Sequence, residues 1–136
     1  MSDLSLRVVG HVESTLITRA DAPRQGDEGA PDAWIVFDES VRAALADLAA
    51  GDEIILISWL DRADREVLAV RPRSDDTRPL TGVFSTRSPD RPNPLGLHRV
   101  TVLAVDGLRI QVSGLEAIDG TPIVDVKPVL GEISER

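Results

Sequence analysis

The segment Gly82-Val83-Phe84-Ser85-Thr86-Arg87-Ser88-Pro89-Asp90-Arg91-Pro92-Asn93-Pro94-Leu95-Gly96 concentrates side chains capable of chemistry. Prolines at 89, 92 and 94 fix φ and remove amide donors, so neither a strand nor a helix runs through them. The outcome is a stiff loop presenting Arg87, Ser88, Arg91 and Asn93. Guanidinium forks on such a loop suit a carboxylate, a phosphate or an aromatic ring. They equally suit structural ion pairs with the chain's own carboxylates. A second segment runs Ile118-Asp119-Gly120-Thr121-Pro122-Ile123-Val124-Asp125-Val126-Lys127-Pro128. Asp119 and Thr121 supply turn hydrogen bonds, and Gly120 permits a positive φ. Asp125 and Lys127, two apart on a strand, share a face, either as a surface ion pair or as groups turned to a pocket. Pro23-Arg24-Gln25-Gly26 is a third candidate, in a stretch that also reads as a solvated loop. His98 follows the proline loop as a candidate acid or base. Trp34 and Trp59 read as core or interface aromatics.

These residues need elements to hold them. Short runs rich in β-branched residues recur at 6–12, 34–37, 53–60, 66–70, 82–85, 99–105, 108–113 and 122–126, with turn signals between them. That spacing predicts a mainly β chain, an antiparallel barrel or sandwich. Asp106-Gly107 between alternating runs predicts a hairpin. One short helix is expected after Asp38 as N-cap, with Val41, Ala44, Leu45 and Leu48 at helical spacing and Gly51 as its end. Residues 18–31 and 71–80 read as irregular loops. No Gly-x-Gly-x-x-Gly and no phosphate-loop Gly-x-x-x-x-Gly-Lys occurs, so the usual nucleotide cradles are absent.

The 136 residues suit one domain, 1–136, and 42% hydrophobic with 28% charged residues is a globular composition. With no cysteine and only His11 and His98, thiolate chemistry is excluded and a metal site is not expected. No apolar run is long enough to span a bilayer as a helix. Met1-Ser2-Asp3 opens no signal peptide, so a cytoplasmic protein is expected. The net charge is −8, which disfavours a broad nucleic-acid surface. Between Arg62 and Arg99, however, eight arginines face five acidic residues, a local net of +3. One segment can therefore meet an anionic ligand while the rest stays acidic.

The stretch Thr86-Arg87-Ser88-Pro89-x-Arg91-Pro92-Asn93-Pro94-Leu95-Gly96-Leu97, followed by Asp119-Gly120-Thr121-Pro122-x-x-Asp125-x-Lys127-Pro128, resembles the TsaA-like, or TrmO, family. Pro23-Arg24-Gln25 fits that family's N-terminal motif, and the resemblance runs from about Val9 to Val129. It implies a small single-sheet antiparallel β barrel with one short helix, working as a homodimer with S-adenosylmethionine as cofactor. The activity implied is methylation of N6 of threonylcarbamoyladenosine, beside the anticodon of tRNA. Alternatives keep the cofactor with a small-molecule or other acceptor, or make the chain a non-catalytic module that binds S-adenosylmethionine or RNA. By position, the resemblance assigns cofactor contacts to Pro23, Arg24, Gln25, Ser58, Trp59, Arg87, Leu97, Ile118, Asp119, Gly120 and Thr121. Arg91, Asn93 and Lys127 are the expected substrate contacts. Asp125 and His98 are candidates for a general base that the resemblance itself does not assign. His98 departs from the small residue usual after Gly-Leu. The second motif falls near residue 136, whereas many bacterial members continue into an extra C-terminal domain, so a short form is expected.

Overall fold

The computed structural model describes residues 4–20, 29–72 and 75–131. Six of its eight strands form one antiparallel ring: β1 (Gly10–Glu13), β2 (Ala33–Phe37), β3 (Glu53–Trp59), β6 (Leu95–Asp106), β7 (Arg109–Val112) and β8 (Pro122–Pro128). Their order is β1-β2-β7-β6-β3-β8, and β8 pairs back with β1 to close the barrel. Alternation sets which side chains enter it. On β3, Ile54, Leu56 and Ser58 are buried while Ile55, Ile57 and Trp59 face out half-buried. On β6, Gly96, His98, Val100 and Val102 point inward. The branched side chains Val12, Ile35, Leu56, Ile110, Val112 and Ile123 fill the interior, each with no exposed area. Removing that much apolar surface from water is what holds a barrel with short strands together.

Several expectations need correcting. The barrel itself is one closed sheet, and β4 (Ala69–Val70) and β5 (Thr81–Gly82) add a separate two-stranded ribbon that was not expected. Residues 83–85, expected as strand, form a single turn of 3-10 helix, Val83–Ser85. The strand expected at 99 begins at Leu95, directly after the last proline that forbids pairing. The expected helix is also 3-10, over Glu39–Leu45. Asp38 caps it as expected, its carboxylate accepting from the Ser40 amide at 2.8 Å. Bonds from Val41 to Asp38 and from Ala46 to Ala43 span three residues, the tighter winding used in short connections. Gly51 lies beyond this segment, at φ 98, in the turn that enters β3. The hairpin at Asp106-Gly107 joins β6 to β7, with Gly107 at φ 60.

Register places the outward rows. Leu95 faces Trp59, Leu97 faces Ile57, and Arg99 faces Ile55. On the other side of β3, Asp125 faces Ile57 and Lys127 faces Ile55. The β3–β8 register then slips, so Ser58 faces Ile123, and this irregularity lies one residue short of the barrel's rim.

Candidate functional site

Both signature segments gather at one end of the barrel. There β3 and β7 end, β6 and β8 begin, and the β1–β2 connection departs and returns. The proline loop is held by its own polar side chains. Arg91 Nε donates to the Ser88 carbonyl at 2.6 Å, and Nη2 donates to the carbonyls of Thr86 at 2.6 Å and Val83 at 2.8 Å. One guanidinium thus collects the carbonyls of Thr86 and Ser88 and shares that of Val83 with the Thr86 amide and hydroxyl, in a segment whose prolines prevent a regular ladder. Arg91, an expected substrate contact, staples its own loop through Nε and Nη2.

Asn93 is likewise committed. Its Oδ1 accepts from Arg65 Nη2 at 3.1 Å, while Arg65 Nε donates to the Pro92 carbonyl at 2.7 Å. The same guanidinium lies 5.1 Å from the centroid of Trp59. Trp59 is therefore neither core nor free: it stands half-buried on the outer face beneath an arginine, and Trp34 stands similarly under Arg109 at 4.3 Å. Asp90 accepts from the Asp64 amide at 2.8 Å and from Arg19 at 3.1 Å, tying the proline loop to the β3 exit and to the β1–β2 connection. Arg62 reaches the Ile17 carbonyl at 3.0 Å. Arg87 differs from all of these. It is exposed and makes no ion pair or hydrogen bond among the described residues.

The second segment is stitched to β1. The Asp119 amide donates to Leu16 at 2.7 Å and the Gly120 amide to Val12 at 2.7 Å, with Gly120 at φ 83. Asp119 Oδ1 accepts from the Ser14 amide at 3.0 Å. Thr121 is buried, its hydroxyl donating to the Ile118 carbonyl at 2.7 Å. The Gly120 amide and the carbonyls of Ile118 and Thr121 are thus committed within the protein, leaving the Asp119 and Gly120 carbonyls and the second Asp119 oxygen as the polar edges of this turn. Ile118 is buried and Leu97 is half exposed on the outer face.

Other expected residues lie elsewhere. Pro23, Arg24 and Gln25 fall outside the described residues. Asp125 and Lys127 do share a face, the outer one, as an exposed pair 3.7 Å apart; such a pair contributes little. Asp125 also lines a groove of about 530 Å³ with Val9, Phe37, Leu45 and Asp52, at the end of the barrel opposite the loops. His98 points inward and is 5% exposed, with both ring nitrogens engaged by Ser58 and Glu116. His98 and Asp125 therefore lie on opposite faces of the sheet, and they do not share one pocket as base candidates. Ser58 has no exposed area. Among the described residues, no group of three or more His, Asp or Glu side chains gathers to hold a metal ion, and no helix is long and apolar enough to cross a membrane.

Arg65 and Glu116 were not singled out from the sequence. Arg65 carried no signal beyond its place in the arginine-rich window. Glu116 carried one, an acidic residue inside the apolar run Leu115-Glu116-Ala117-Ile118, which calls for a buried partner.

Residues 11–134 match the family described as the tRNA-methyltransferase O N-terminal domain. The chain belongs to that family. Its relatives include a probable S-adenosyl-L-methionine-binding protein of Methanothermobacter thermautotrophicus, 42% identical over 98% of this chain and 96% of that one. A relative of the same description from Archaeoglobus fulgidus is 41% identical over 92% of this chain, which spans only 34% of its length. Among solved structures, a crystal structure of TrmO superposes with a TM-score of 0.76 at 27% identity, over 95% of this chain and 58% of that chain.

Proposed function

We propose that the protein is an S-adenosylmethionine-dependent methyltransferase whose acceptor is N6 of threonylcarbamoyladenosine beside the anticodon of tRNA. The observation that carries this reading is Arg87, the one arginine of the proline loop left uncommitted, standing in a family match of nearly the whole chain. The side chains fit the cofactor's chemistry. Arg87 is free to fork onto a carboxylate, Asp119 keeps one oxygen for an ammonium group, and the carbonyls of Asp119 and Gly120 suit the donor edge of an adenine. When bound, S-adenosylmethionine supplies an electrophilic methyl group. The protein's work is then to align donor and acceptor in line and keep water out. Arg91, Asn93 and Asp90 serve this by making the loop rigid, while Arg62, Arg65 and Arg87 give it a charge suited to RNA phosphates. No general base is assigned, since His98 is enclosed and Asp125 lies outside.

The same reading carries a single domain over 1–136, a homodimer and a cytoplasmic setting. The outer-face side chains Leu95 and Leu97, 44% and 50% exposed beside Trp59 and Ile57, are apolar surface that a second copy would cover. A second reading, a binding module without turnover, is supported by the name of the Methanothermobacter relative, a binding protein of which the match covers 96%. Calorimetric titration of S-adenosylmethionine, followed by methyl transfer to tRNA from a strain lacking the modification, separates the two. Binding with transfer is the expected result. Binding with no transfer to any tRNA favours the module, and no binding by the wild-type protein overturns both.

A further inference from the structure

Inside the loop end of the barrel, three polar side chains from three different segments form one line. Ser58 Oγ on β3 lies 2.6 Å from His98 Nε2 on β6, and His98 Nδ1 lies 2.5 Å from Glu116 Oε1 in the β7–β8 connection. Exposure falls from 17% at the Glu116 side chain to 5% at His98 and 0% at Ser58. The order carboxylate, imidazole, hydroxyl is that of an acyl-transfer triad. Access rules that activity out. Ser58 is sealed, and its register partner Gly96 lies so near that an added Cβ would collide with Ser58 Oγ and come within 2.7 Å of His98 Nε2. No acyl group reaches this hydroxyl.

Connectivity tells what the line does. Beyond Ser113, whose amide donates to Thr101 on β6, the long-range backbone amide bonds of the β7–β8 connection go to the β1–β2 side: Gly114 donates to the Asp32 carboxylate, Leu115 to Pro31, Asp119 to Leu16 and Gly120 to Val12. At its start the connection is tied to β6 by the Ser113 hydroxyl, which accepts from the Thr101 amide; nearer the 118–121 turn, the Glu116–His98 contact runs to β6 and on through Ser58 to β3. It therefore spans the turn at 118–121 and the strand end that carries Trp59. The partners also fix the imidazole. A carboxylate at Nδ1 requires that nitrogen to donate, and Nε2 meets a Ser58 hydroxyl that can either donate or accept. With every member satisfied and largely buried, such a line is stiff, and loss of one member strands the others.

We infer that Glu116 is a positioning residue: through His98 and Ser58 it sets the 118–121 turn against the β3 end, so that both sides of the cofactor site are held in one geometry. This rests on the cofactor reading above. Two measurements test it on the full chain, hydrogen–deuterium exchange of the ligand-free protein and calorimetric titration with S-adenosylmethionine. Wild type, Glu116→Ala, Glu116→Gln and Ser58→Ala are compared with Ile110→Val, a core change on β7 away from the line. Glu116→Ala should speed exchange at 116–121 and at 56–60 together and weaken binding on the order of tenfold. Glu116→Gln, which keeps an acceptor, should recover most of that loss. Ser58→Ala, which deletes one hydroxyl, carries the same prediction if Glu116→Ala does not fold. Faster exchange confined to the neighbourhood of the substitution overturns the coupling. Binding that falls equally in Ile110→Val at a matched drop in Tm overturns the positioning role. Wild-type protein that binds no S-adenosylmethionine overturns the cofactor reading instead, and exchange alone then decides whether the line couples the two segments.

Discussion

Arg87 and Arg91 lie on one stiff loop, yet the protein spends them differently. Arg91 is half-buried and its fork closes on the carbonyls of Val83, Thr86 and Ser88. Arg91→Ala should therefore lower stability by about 2 kcal/mol, because hydrogen bonds to a charged group are lost and the part-buried carbonyls of Thr86 and Ser88 lose their donor. Arg91→Lys should recover little, since an ammonium cannot span three carbonyls as a planar guanidinium does. Arg87→Ala should leave Tm unchanged and weaken binding of S-adenosylmethionine. Thermal unfolding and titration of the same two variants separate the roles, and a fall in Tm for Arg87→Ala would overturn the assignment. Gly96 makes a third residue-scale case. Gly96→Ala drives a methyl into the Ser58–His98 contact and should cost roughly 1–3 kcal/mol in urea unfolding.

Among the elements, the segment Glu39–Leu45 has a stability that depends on pH through its cap. The Ser40 backbone amide and hydroxyl hold the Asp38 carboxyl below its ordinary range. A depressed folded-state pKa means that the stabilisation is present above the carboxyl's unfolded value and is lost as pH falls through the folded one. Protection of the Ser40–Leu45 amides, their exchange measured against an unstructured chain at the same pH, should therefore fall on acidification below pH ~4 in the wild type. Asp38→Asn, which caps without titrating, should flatten that profile; an identical acid response in the variant would show that the cap is not its source. The proline loop and the 118–121 turn are of another kind. Their order comes from side-chain and backbone ties to neighbouring segments, with little regular ladder of their own.

For the whole molecule, ligand binding and charge give the tests. Binding only the folded state, S-adenosylmethionine at a hundred times its Kd should add about 2.7 kcal/mol of stability, a rise in Tm of roughly 10 °C for a chain of this size. An unmoved Tm at saturating ligand would contradict the cofactor reading. The local arginine excess on an acidic chain predicts that tRNA binding weakens steeply with added salt, and a flat salt response would exclude phosphate contacts as its source. Sedimentation should report a dimer, and a monomer at all concentrations would remove the shared interface at Leu95 and Leu97.

What the sequence determined by itself was whatever depends on near neighbours along the chain. Proline placement marked the stiff loop, Asp106-Gly107 marked the hairpin, Asp38 marked the cap, and alternation marked most strands. The two motifs, each a continuous run, sufficed for the family. The tertiary structure alone decided partners that are distant in sequence. Arg91 turned to carbonyls rather than outward because the loop folds back on it, and no spacing rule pairs Asn93 with Arg65 across 28 residues. Ser58, His98 and Glu116 meet only because β3, β6 and the β7–β8 connection converge at one end of a closed sheet. Inward or outward placement was equally beyond a local reading. His98 and Asp125 both sit on strands, but register, fixed by pairing around the whole ring, sends one to the core and the other to solvent.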